Sequence, residues 1–243
     1  MTEIFIGTAG WSIPAAVADR FPGEGQHLER YARVMNAAEI NSSFHRPHQA
    51  RTYARWAEAT PPDFRFSVKV PKSLTHENRL AEPNAVLDRF AGEVAGLGDK
   101  LAVLLVQTPP NLGFEPDVAE VFFAAMQKRF DVPVALEPRH PTWFTAQTDA
   151  WLAERRIARV GADPARLPEA ASPGGWDGLA YFRLHGSPRI YYSAYAPEVL
   201  EALAAQLRTL GERGPVWCVL DNTAGSAALG DALTVKAALG HER

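Results

Sequence analysis

The chain has 243 residues, 28 acidic and 25 basic, for a formal net charge of -3, which excludes the global basic footprint that drives non-specific nucleic-acid binding. Its lone cysteine, Cys218, excludes an intrachain disulfide framework and fits a reducing compartment. The start, MTEIFIGTAGW, shows no basic stretch ahead of an apolar core, and no run approaches the roughly 18 apolar residues of a membrane span, so a soluble, cytoplasmic protein is expected.

EIFIG (3–7) opens the chain as a short apolar run, followed by a Gly-, Pro- and Ala-rich stretch at 10–25 and a helical period in HLERYARVM. AAEIN (37–41) and RFSVKV (65–70) come next, then the amphipathic NAVLDRFAGEVAGL. LAVLLVQ (101–107), VPVALE (132–137) and IARVGA (157–162) alternate with PDVAEVFFAAMQKRF and TDAWLAERR. After a loop at 162–178, LAYFRLH (179–185) and PVWCVLD (215–221) are each followed by a helical pattern, PEVLEALAAQLRTL and GSAALGDALTVKAAL. The short runs are almost continuously apolar, as parallel strands covered on both faces are. Eight such units in this length predict an α/β fold, a (β/α)8 TIM barrel in a single domain over residues 1–243, with a doubly wound open sheet as the competing solution.

Several runs end in ionisable or amide groups, where a parallel α/β protein keeps its chemistry. Residues two apart on a strand share a face. That period sets Glu39 with Asn41, Ser67 with Lys69, Leu105 with Gln107, Glu137 with Arg139, Arg183 with His185, and Val219 with Asp221. If these faces point inward, one pocket collects Glu39, Glu137 and Asp221 against Lys69, Arg139 and Arg183, with His185, Asn41 and Gln107 between them. The rival is a self-paired polar plug, because buried charges are seldom left unpaired.

The stretches GTAGWS (7–12), AAEINSSFHRP (37–47), FRFSVKVPKSLTH (64–76), QTPP (107–110), ALEPRHPTWF (135–144), YFRLHG (181–186) and DNTAGSAALGDA (221–232) resemble the DUF72, or YecE-like, family. The resemblance spans nearly the whole chain and implies a TIM barrel; it implies no reaction, since the family is one of unknown function. The chain departs from the family pattern at Ile13 and His45, where aromatics are usual, and at Asp221, where an amide is common.

The chemistry therefore has to come from the pocket. Two arginines and a lysine at strand ends suit a small anionic ligand, a carboxylate or a phosphate. The loops after the last two strands, HGSPR and DNTAGSA, offer Gly186, Ser187, Asn222, Gly225 and Ser226 as further donors, the last two at a predicted helix amino terminus; a tight turn and an N-cap would use the same residues. Glu137, His185 and Glu39 are the candidates for proton transfer, with Asp221 orienting the histidine. Lys69 would form a Schiff base if desolvated, but a salt-bridged lysine is expected beside Glu39 or Glu137. Trp11 and the IYYSAY segment are candidates for stacking on a sugar or base, whereas Trp56 and Trp143 are expected to pack loops.

The expected activity is thus acid–base catalysis on a small phosphorylated, carboxylated or sugar-like anion, without a cofactor. An alternative is a divalent-metal hydrolase or nuclease with Glu137, Asp163, His185 and Asp221 as ligands, against which Arg139 and Arg183 on the same faces would repel the ion. A third is a ligand-binding protein without turnover. The acidic balance argues against a nucleic-acid duplex while leaving a nucleotide-sized ligand open.

Overall fold

The computed structural model describes residues 3–240. The apolar runs form strands β1 (Ile4–Thr8), β2 (Ala37–Ile40), β3 (Arg65–Lys69), β4 (Leu101–Gln107), β5 (Val134–Glu137), β6 (Ile157–Arg159), β7 (Gly161–Asp163), β9 (Ala180–Leu184) and β10 (Val216–Leu220), with a two-residue β8 (Gly174–Gly175). Between them run α1 (His27–Val34), α2 (Ala50–Glu58), α3 (Asn84–Val94), α4 (Pro116–Gln127), α5 (Ala146–Glu154), α6 (Pro197–Gly211) and α7 (Ala228–Ala238). The result is a mixed α/β fold.

Hydrogen bonding arranges the strands as a four-stranded parallel sheet, β1-β10-β9-β7, and a six-stranded sheet, β2-β3-β4-β5-β6-β8, in which only β8 runs antiparallel to its neighbour. The sheets meet at two seams. At one, Ala9 bridges Glu39 and the Gly10 amide donates to the Glu39 carbonyl at 2.8 Å. At the other, the predicted sixth run changes partner part-way: Ile157, Ala158 and Arg159 pair with β5, the Val160 amide still donates to Leu136, and Gly161 onwards pairs with β9. Gly7 sits at the first seam, where a Cβ would overlap the Ala37 carbonyl; only glycine lets β1 approach β2 this closely.

Strand alternation divides the buried side chains into two clusters. Ile4, Ile6, Ile40, Phe66, Val68, Leu104, Val106, Leu136, Phe182, Leu184, Cys218 and Leu220 face the helices. The opposite parity, Phe5, Ala37, Val103, Leu105, Ala135, Ala158, Val160, Tyr181, Trp217 and Val219, packs together on the inner face. Cys218 belongs to the outer core, and burial pushes its thiol up to about 12, so it is a packing residue. Among the described residues no helix is long and apolar enough to cross a membrane.

Two elements differ from the sequence reading. Helix α2 arises where no helical pattern was singled out, with the polar face of RTYARWAE outward and Tyr53 buried. Helix α7 starts at Ala228, with Ala227 at its N-cap, so Gly225 and Ser226 lie in the preceding turn and do not open the helix.

Candidate functional site

The inner parity is apolar at the amino-terminal ends of the strands and polar at their carboxyl ends. Phe5 stacks on Trp217 at 4.8 Å and Trp217 on Tyr181 at 5.9 Å, making an aromatic floor. Tyr181 joins the two layers: its ring belongs to the floor, while its hydroxyl donates to Glu39 Oε2 at 3.1 Å and lies 2.7 Å from Ser67 Oγ. Ser67 is the register partner of Glu39, as Gln107 is of Glu137 and Val219 of Arg183.

Above the floor, Arg183 is wholly buried and holds three carboxylates together. Its Nε and Nη2 donate to the two oxygens of Glu39 at 2.9 and 2.7 Å, its Nη1 to Glu137 Oε2 at 2.7 Å, and its Nη2 also to Asp221 Oδ2 at 3.1 Å. Every guanidinium nitrogen is engaged, which corrects the expectation that Arg183 grips a substrate anion. Burial disfavours its charge, but Glu39, then Asp221 and Glu137, more than compensate and hold the guanidinium protonated. Gln107 Nε2 donates to Glu137 Oε2 at 2.9 Å.

His185 lies across the top of this network, with Nδ1 2.9 Å from Asp221 Oδ2 and Nε2 3.0 Å from Glu137 Oε1. Two carboxylate neighbours are fully satisfied only by the imidazolium, which donates from both nitrogens. Burial pushes its pKa down, but Glu137 and Asp221 prevail and the net shift is upward. Burial raises the Glu137 carboxyl, yet Arg183 and then His185 hold it well below the usual carboxylate range; Asp221 is likewise lowered against its burial, chiefly by Arg183.

These shifts fix a pH profile. His185 has a raised folded pKa, so its contribution to stability is full below an unfolded value of about 6.5 and is lost as pH rises through the folded value. The two acids, with depressed values, contribute above their unfolded values of about 3.9 and 4.3 and lose that contribution as pH falls. Stability from the cluster should therefore peak between about pH 4.5 and 6.5. Replacing His185 by Phe should flatten the alkaline limb of a Tm-against-pH curve; an unchanged limb would show that His185 does not set it.

The remaining predicted residues divide into those the structure brings to the cluster and those it does not. Lys69, only 6 % exposed, joins the inner layer, but among the described residues no carboxylate lies within ion-pair distance of its ammonium, which instead sits 4.1 Å from the centre of the Phe44 ring. The expected salt bridge is thus corrected to a cation–π contact, and desolvation lowers the amine to about 8, with Arg183 acting in the same direction. Arg139 is half-buried, 3.6 Å from Glu137 Oε1. Asn41 follows β2 with its Oδ1 buried and without a hydrogen bond.

Trp11 lies elsewhere. It packs edge-on against Trp56 at 5.1 Å and Phe66 at 6.1 Å, on the outer parity, and lines a separate cleft with His27, Glu29 and Arg55. Asn222 is fully buried and spends its Nδ2 on the Ser193 carbonyl and Asp231, at 2.9 and 2.6 Å. The donors expected of the last loops are also taken: Gly186 N donates to the Tyr195 hydroxyl, Gly225 N to Tyr191 and Ser226 N to Thr223. Ser187 is half-buried beside this turn.

A cleft of about 370 Å³ opens over the cluster, with Glu137, Arg139 and His185 lining it and Phe144, Arg166 and Tyr191 completing its wall. Tyr191 meets His185 edge-on at 5.8 Å. Arg166 was missed by the sequence reading; it belongs to an irregular loop where no period marks a face. Tyr195 ties the loops together, donating to Asp163 Oδ1 at 2.7 Å while accepting from Gly186 N at 2.8 Å.

Asp163 is exposed and committed to Tyr195, so it does not join Glu137, His185 and Asp221, and Arg183 sits between the latter carboxylates. The alternative metal set is not assembled: among the described residues no group of three or more His, Cys, Asp or Glu is placed to hold a metal ion.

Comparison with known proteins places this geometry. The chain is 30% identical over 176 residues to the UPF0759 protein YecE of Escherichia coli (strain K12), covering 70% of this chain and 62% of that protein. It is 26% identical over 148 residues to the UPF0759 protein YunF of Bacillus subtilis (strain 168), covering 58% of this chain and 52% of that one. The matches thus span between half and two thirds of these relatives' own length. Crystal structures of DUF72 family proteins from Enterococcus faecalis V583 and Thermotoga maritima MSB8 superpose with TM-scores of 0.82 and 0.79 at 21% and 24% identity. The first covers 99% of this chain and 97% of its own; the second covers 98% and 99%. With the protein family of unknown function DUF72 matching residues 5–243, the chain belongs to that family.

Proposed function

We propose that this chain is an enzyme carrying out acid–base chemistry on a small anionic substrate bound in the cleft at the carboxyl ends of the strands. The observation that carries the reading is the Glu137–His185 couple lining a cleft that Arg139 and Arg166 also line. A carboxylate held ionised beside an imidazolium supplies a base and an acid one hydrogen bond apart. The two arginines match a carboxylate or phosphate on the substrate, and Tyr191 and Phe144 offer apolar walls to its body. We further read the two sheets as one (β/α)8 ring in a single domain, a reading supported by the Ala9–Glu39 bridge and by the change of partner at Val160.

A thermal-shift screen of phosphates, carboxylates and sugar acids tests this. A ligand at 100 times its Kd should stabilise the protein by about 2.7 kcal/mol. Arg139→Ala and Arg166→Ala should each remove most of that shift, and equal shifts in both variants would sink the anion site.

A second reading, ligand binding without turnover, is favoured by the engagement of all three Arg183 nitrogens by carboxylates, which is what a purely structural layer looks like. Turnover of any ligand found in the screen, lost in Glu137→Gln without loss of binding, decides between the two.

A further inference from the structure

The lysines of this chain are Lys69, Lys72, Lys100, Lys128 and Lys236. Lys72 is paired with Glu77 at 2.9 Å, Lys100 donates to the Ala57 and Thr60 carbonyls, Lys236 donates to Val34, and Lys128 is exposed. Lys69 differs from all of them: it is buried and, among the described residues, its Nζ makes no hydrogen bond or ion pair and rests against the Phe44 ring. Buried ammonium groups are ordinarily paired, because removing their hydration without a partner is costly. Three carboxylates of the same layer are bonded to Arg183 and, although their charges act on Lys69, none is paired with it among the described residues. The arrangement leaves the amine unclaimed at the carboxyl end of β3, on the inner face that carries the acid–base pair.

We propose that Lys69 is a nucleophile that forms an imine with the carbonyl carbon of a 2-oxo acid. The inference rests on the anion-binding reading above and names the substrate class of that site: Arg139 and Arg166 take the carboxylate, and the adjacent carbonyl is presented to Nζ. The neutral amine adds its lone pair to the carbonyl carbon, and the oxygen takes up a proton to give a carbinolamine. The nitrogen then loses a proton to the His185–Glu137 couple, the hydroxyl leaves as water with a proton from that couple, and the nitrogen lone pair forms the C=N bond as the remaining N–H proton returns to the couple, so that two protons are taken up and two released. One carbonyl compound and one amine give one imine and one water, with no redox change. Desolvation, the cause that lowers the amine to about 8, supplies the neutral form: at pH 8 such an amine is about half neutral, whereas an ordinary lysine near 10.4 is less than about 1 % so.

The test is to incubate the whole protein with pyruvate, trap with sodium borohydride, which supplies the hydride that reduces any imine to a secondary amine, and map the adduct by peptide mass spectrometry. One adduct per chain is expected at Lys69, forming at least about tenfold faster than at Lys72 or Lys128, given the difference in neutral fraction. Lys69→Arg should lose it while Lys72→Arg keeps it, and the wild-type map stands even if Lys69→Arg fails to fold. Acetone, which lacks the carboxylate, should label Lys69 more slowly by about the same factor. Labelling spread over Lys72, Lys128 and the amino terminus, or no adduct at all, overturns the proposal. If the adduct fails but Arg139-dependent thermal stabilisation by carboxylates persists, the anion site survives and only the imine is lost. If both fail, the anion site falls first.

Discussion

Arg183→Met should destabilise the protein by about 3–5 kcal/mol, the range found when one partner of a buried ion pair is removed and the other charges are left uncompensated. The cost falls on Glu39, Glu137 and Asp221, which would share a buried layer with only Lys69, Arg139 and His185 to offset them. The pH dependence separates this from a simple cavity effect. Without Arg183, Glu137 and Asp221 regain protons more readily, so the deficit should shrink as pH falls through the carboxylate range. Urea unfolding at pH 7 and pH 4 reads both quantities. A loss below about 1 kcal/mol, or one of equal size at both pH values, would mean that the guanidinium is not what holds the carboxylates together.

Gly7→Ala should cost about 3 kcal/mol, at the upper end of overpacking penalties. The added Cβ would meet the carbonyl group of Ala37, and both are backbone atoms in facing strands, so no side chain can rotate to relieve the clash. That same carbonyl accepts from the Tyr31 hydroxyl at 2.9 Å, and Tyr31 in turn accepts from Thr8 N at 2.9 Å. Pushing β1 off β2 therefore breaks the bonding at Thr8 and the Ala9–Glu39 bridge together. Gly92→Ala is the control. It lies in α3 with open space around its Cβ, where alanine is favoured by up to about 1 kcal/mol. A Gly7→Ala variant within about 0.5 kcal/mol of wild type would show that the seam can open without cost.

The inner layer was legible because strand alternation is a strict geometric rule. Glu39, Lys69, Gln107, Glu137, Arg183, His185 and Asp221 share one parity in the sequence, and all are buried on that face. The period gives a face, however, and not a partner. It placed Lys69 beside acids without showing that Arg183 would claim them, and it could not tell a gripping arginine from a saturated one. Trp11 was misplaced for a related reason: β1 ends at Thr8 and no period governs the loop beyond it. Gly225 and Ser226 read as a helix start because Ser is a strong N-cap residue, yet Gly225 is held against Tyr192 and the turn delays α7 to Ala228. Arg166 carried no signal at all. Arg159, by contrast, sits on the outward parity of β6 and binds Asp149 of α5 at 2.7 and 3.0 Å, so its buried charge belongs to the helix layer.

The aromatic floor has a consequence for how protons move. Phe5, Trp217 and Tyr181 pack beneath the charged layer with at most 7 % exposure, so an apolar aromatic layer lies between Arg183 with its carboxylates and the amino-terminal ends of the strands. On the opposite side, His185 and Glu137 line the cleft and are the members of the cluster placed to exchange protons with what enters it. Under the acid–base reading proposed above, a molecule seated there would cover that side of the cluster, and the protonation state of the Glu137–His185 couple at the moment of binding would be the one carried forward.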